Sequence, residues 1–127
     1  MADNIKMSGD FRGAIINIKS TLTNVQQSIG TMQTEDPEAR KELEKLVGQL
    51  SEALQNVPEN HKEDAQAVAD LTQSLVESAN TEQPNKTTLQ ITGEGLKKAA
   101  QNLAEVMPTV ITIATQIVAT VAKVVAL

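Results

Sequence analysis

The chain has 127 residues, a formal net charge of −5, no cysteine, and Phe11 as its single aromatic residue. That length suits one domain with a modest core. The missing thiols exclude cysteine catalysis, a cysteine-based zinc site and a disulfide scaffold.

The composition narrows the reading further. A core limited to Leu, Ile, Val, Ala and Met favours helices over a β-sandwich, whose strands prefer aromatic residues. The charge is unevenly spread. Residues 1–33 sum to +1 (Lys6, Arg12 and Lys19 against Asp3 and Asp10), and residues 34–82 sum to −8, from four basic and twelve acidic side chains. Residues 83–127 return to +2, with Lys86, Lys97, Lys98 and Lys123 against Glu94 and Glu105. An acidic middle repels phosphates, and no aromatic rings are available to stack bases, so no nucleic-acid partner is expected. The N-terminus shows no basic stretch followed by an apolar run, which points to a cytoplasmic protein.

Residues 1–10 carry no periodicity and are expected to form a mobile leader, with residues 11–127 as a single helical domain. Asp10 is placed to cap the first helix. Phe11, Ile15, Ile18, Leu22, Val25, Ile29 and Met32 then alternate spacings of four and three, the strongest periodic signal in the chain. The run GAIINI could open as a strand, but the spacing persists beyond strand length, so a helix is expected. From Ser20 to Thr34 the polar residues are all uncharged.

At Thr34-Glu35-Asp36-Pro37 the pattern breaks. Asp36 as N-cap and Pro37 at the first helical position predict a new start. Leu43, Val47, Leu50, Leu54 and Val57 form its stripe, and Glu38, Arg40, Lys41, Glu42, Glu44, Lys45 and Glu52 read as a solvated face with local ion pairs. Pro58 ends this helix. Ala65, Val68, Leu71 with Thr72, Leu75 and Ala79 form a third stripe of smaller residues, and residues 80–86 read as a loop. A fourth helix is expected from Thr87 or Thr88, with Leu89, Thr92, Leu96, Ala99 or Ala100, Leu103 and Val106 on one face, weakened by Gly93 and Gly95. Pro108 should bend or break it.

The tail, Val106–Leu127, is uncharged as far as Ala122 and near the length of a membrane span. Thr109, Thr112, Gln116, Thr120 and Lys123 fall three or four apart on one stripe, which makes it an amphipathic helix with a wide apolar face. The polar residues and the early proline argue against an ordinary anchor. Helix 1 shares this uncharged polar chemistry, so the two are read as partners that, with the fourth helix, supply most of the apolar core, or else as an assembly surface between subunits.

Chemistry is sparse. His61 is the only histidine, and Asp64 alone lies at ligand spacing from it. No Asp-x-Asp-x-Asp-Gly calcium loop is present. Gly93-Glu94-Gly95 lacks the remainder of a phosphate loop. Ser51, Ser74 and Ser78 have no nearby base. No enzyme, cofactor, metal or small-molecule substrate is therefore expected.

The runs SGDFRGAIINIKSTLTNVQQSI (8–29) and PNKTTLQITGEGLKKAAQNLAEVMP (84–108) resemble segments of a small helical module of bacteria, cyanobacteria especially, that accompanies signalling or conflict-type effector systems, NTPase-linked ones included. The resemblance implies an adaptor or effector-associated role and carries no catalytic residues.

These readings converge on an all-α fold, a four- to five-helix bundle with a kinked, apolar C-terminal helix. The expected function is a non-catalytic, self-associating interaction module. Its interaction surface is expected at Phe11, Ile15, Ile18, Leu22, Val25, Ile29, Val110, Ile113, Ile117, Val121 and Val124, with the acidic 35–77 segment as a hairpin that keeps the particle soluble. The alternative is a membrane-active protein that inserts residues 106–127.

Overall fold

The computed structural model describes the backbone of residues 2–125 and the side chains from Phe11 to Val125. All five α-helices are as follows: α1 (Ala2–Gly30), α2 (Pro37–Leu54), α3 (Lys62–Ala79), α4 (Lys86–Gln101) and α5 (Pro108–Val124), with a short 3-10 turn at Glu59–His61 before α3. No strand occurs among the described residues. Residues 13–19, which could have opened as a strand, are helical, and so is the β-branched tail over Pro108–Val124.

The helix starts follow local chemistry. The Asp36 carboxylate accepts from the Ala39 N–H at 3.0 Å, and Pro37 stands at the first helical position, where a missing N–H costs nothing. The Asn85 side chain does the same for Thr88 N–H at 3.0 Å, so α4 begins at Lys86. α1 departs from expectation because it starts at Ala2, and Asp10 lies within it rather than capping it. Once a helix exists, each further residue adds a hydrogen bond, and Gly9 costs only about 1 kcal/mol, too little to stop propagation. The expected leader, residues 1–10, is thus helical in backbone from residue 2, and its side chains lie outside the described residues.

The C-terminal region is two helices rather than one kinked helix. α4 stops at Gln101, and tight i→i−3 bonds (Leu103 N–H to Ala100 O, Val106 N–H to Leu103 O) wind the chain out. Met107 adopts φ −141°, ψ 69°, since a residue before proline is driven out of the α region, and Pro108 then opens α5. Val106, expected on the α4 core face, sits in this turn 43 % exposed.

The helices close into a ring in the order α1–α2–α5–α4–α3. Successive helices run in opposite directions, and a ring of five must then contain one parallel pair. That pair is α1 and α3, joined by Asn17 Nδ2 donating to Gln66 Oε1 at 2.9 Å. Two expectations are overturned here. α1 and α5 are not neighbours; each packs on α2, one on either flank. α2 and α3 do not form a hairpin, because α1 lies between them. Ala39 and Leu46 widen the apolar face of α2 beyond its predicted stripe, and Ala69 and Val76 do the same for α3. Such faces are broad enough for two partners each.

The core is aliphatic throughout. Ile18, Leu22, Ile29, Leu43, Leu50, Leu54, Leu75, Leu96, Leu103 and Ile117 are its largest fully buried members. Thr72 and Thr120 are buried too, with hydroxyls donating to Val68 O at 2.8 Å and Gln116 O at 2.7 Å. Thr120 therefore leaves the polar stripe predicted for the tail. A threonine tolerates burial in a helix because its hydroxyl can bond back to the preceding turn.

Candidate interaction surfaces

His61 Nδ1 lies 3.2 Å from Asp64 Oδ2, a one-turn pair at the start of α3. It is the only salt bridge among the described residues, so the ion pairs expected along α2 are absent. Exposed pairs of this kind gain under about 1 kcal/mol and do not hold long side chains in place. Among the described residues no three His, Cys, Asp or Glu side chains converge as a metal site. Gly93 and Gly95 belong to α4, and Gly93 serves packing there: a Cβ on it would come within 3.0 Å of Val118 Cγ1. Arg40 donates from Nη1 to the Met32 carbonyl at 3.3 Å, capping the chain as it leaves α1.

The interaction residues expected from sequence are mostly interior. Ile18, Leu22, Val25, Ile29, Val110, Ile113, Ile117, Val121 and Val124 are buried within the single chain. Phe11 and Ile15 are half-buried against the same core. The stripes are apolar because they form this core, so in this conformation they are not presented to a partner.

What faces outward is different. On α1 the exposed residues are Arg12, Gly13, Ile16, Asn17, Lys19, Ser20, Thr23, Asn24 and Gln27. Ile16 is 65 % exposed, and no acidic residue occurs between Phe11 and Thr34. Helical spacing places Arg12, Ile16, Ser20, Thr23 and Gln27 on one ridge, since residues three and four apart lie above one another. On α5 the outward residues are Pro108, Thr109, Thr112, Thr115, Gln116, Ala119 and Lys123, again without a carboxylate. α3 is the contrast. Glu63, Asp70 and Glu77 are all exposed and seven residues apart, a carboxylate stripe along its outer edge.

Ile91 is the other strongly exposed aliphatic, at 66 % on α4. Sequence reasoning passed over both Ile16 and Ile91 because they fall outside the apolar stripes. That position off the stripe was itself the available signal. Compared with known family models, curated proteins and solved structures, the chain matches none.

Proposed function

We propose that this chain is a non-catalytic interaction module that self-associates through the outer ridge of α1. The observation that carries the reading is Ile16, 65 % exposed at the middle of a ridge with no acidic residue, on a chain of net charge −5. Ile16 is flanked one turn away by Arg12, Gly13, Lys19 and Ser20, and a large aliphatic side chain there gains apolar burial when covered while the two cations stay at the solvated rim. The exposed face of α5, which also carries no carboxylate, supports a second, weaker contact. The resemblance of residues 8–29 and 84–108 to an effector-associated module adds the adaptor role to the proposal.

The test is molecular mass by light scattering over a range of concentrations, for the natural chain and for Ile16→Glu. The mass of the natural chain should rise with concentration and that of the variant should stay at one chain. Thermal unfolding should be nearly the same for both, since an exposed position costs within about 0.5 kcal/mol. A natural chain that stays monomeric throughout sinks the reading. The competing proposal is insertion of residues 106–127 into a bilayer, and it draws on a tail whose single charge is Lys123. No described helix is long and apolar enough to cross a membrane. Flotation of the full chain with liposomes separates the two, because only insertion requires the protein to float.

A further inference from the structure

We propose that the cleft where α3, α4 and α5 meet binds a small aliphatic carboxylate, a medium-chain acyl anion. Leu75, Leu89, Val118, Val121 and Ala122 line this cleft, with Lys86 and Gln90 completing it, and its volume is ≈ 260 Å³. That room falls between the cavity of about 150 Å³ that accepts benzene and the roughly 300 Å³ at which drug-sized pockets begin, which suits a chain of about eight to ten carbons.

The cleft has a structural origin. α4 and α5 form the least closely packed seam of the ring. They touch at Gly93 and Val118, and beyond that crossing the space toward Lys86 is left unfilled by side chains. Its deep walls, Leu75, Leu89 and Val121, are buried members of the core, so they are held in place whether or not a ligand is present. Val118 and Ala122 are half-buried and supply the side facing solvent.

Charge decides the headgroup. In a chain of net −5, the lining contains one ammonium, one amide and no carboxylate. Lys86 is also the first residue of α4, so the positive end of the helix dipole adds to its charge at the same place. An apolar body ending in a single anionic group satisfies both features. An alkylammonium meets like charge, and a neutral alcohol leaves the lysine without an ionic partner. With no aromatic residue in the lining, the recognised body is aliphatic rather than a stacked ring. The cleft shares no residue with the α1 ridge, so this inference stands or falls apart from self-association.

The experiment is an amide NMR titration of the full chain with decanoate, kept below its micelle-forming concentration, with decyltrimethylammonium and decanol as controls. Saturable shifts should cluster at Leu75, Leu89, Gln90, Val118, Val121 and Ala122, with decanoate binding about tenfold more tightly than the ammonium. Lys86→Glu retains a residue suited to the first helical turn, so the fold should persist while the preference for the anion disappears. Ala122→Leu should fill the cleft and abolish decanoate binding while leaving the amide spectrum otherwise native. Shifts that are scattered or never saturate overturn the proposal, as does equal affinity for the ammonium or an unchanged Lys86→Glu variant. Binding seen only with micelles or phosphatidylglycerol vesicles overturns it as well, because it assigns the effect to a lipid surface.

Discussion

The hydroxyl of Thr34 donates to the carbonyl of Val124 at 2.8 Å, so the loop after α1 closes the C-terminal end of α5 across 90 positions of sequence. The same oxygen accepts from the Asp36 N–H at 3.1 Å, and the Asp36 carboxylate caps α2. One threonine thus links the last turn of the chain to the start of its second helix. Thr34→Val keeps the shape and removes the hydroxyl. It should lower stability by about 1 kcal/mol, the net worth of one such bond. The urea midpoint should fall with the slope unchanged. An unaltered midpoint would show that the tie contributes nothing.

Asp36→Ala removes the α2 cap and should cost about 1 kcal/mol in the same assay. Because Thr34 and Asp36 share one network, the double variant should lose less than the two single losses combined. Strict additivity would mean that the two bonds act independently.

The position of α5 is tested by a pair of substitutions on its two faces. Ile117 is fully buried, and Ile117→Ala should cost about 2–5 kcal/mol. Thr115 faces outward with its hydroxyl on the Ile111 carbonyl, and Thr115→Ala should stay within about 0.5 kcal/mol. Equal effects in thermal unfolding would contradict the placement of α5.

The two glycines of α4 should respond with opposite signs. A Cβ on Gly95 would meet Leu71 Cδ2 at an ordinary 3.7 Å, so Gly95→Ala should gain about 0.5–1 kcal/mol from helix propensity. At Gly93 the 3.0 Å approach to Val118 Cγ1 requires a β-branched side chain at the α4–α5 crossing to give way by a few tenths of an ångström, and Gly93→Ala should lower the melting temperature despite the same propensity gain. A stabilised Gly93→Ala would show that this seam is free to relax.

Much of the local structure could be read from residue order. The Asp36-Pro37 start, the stripe Leu43–Val57 and the amphipathic character of the tail depend on neighbours within one or two turns, where capping chemistry and a period of 3.6 act directly. The start of α1 was misplaced because Asp10 and Gly9 look like a boundary, whereas propagation of an existing helix outweighs one glycine. The cleft beside Lys86 was invisible for a different reason. Its seven lining residues come from three helices, and no spacing within any one helix records the gap between them.

The sequence by itself determined that this protein is a bundle of aliphatic helices with an acidic middle and an apolar tail, because composition and periodicity are local properties. Only the tertiary structure decided which helices meet. It placed α1, with Arg12 and Lys19, between the two acidic helices α2 and α3. Packed helix axes stand about 8–10 Å apart, and an intervening helix keeps the two like-charged helices from packing directly on each other. It also turned the apolar stripes of α1 and α5 inward and left Ile16 outside. Periodicity says that a face is apolar; which neighbour covers it depends on how all five helices close their ring at once.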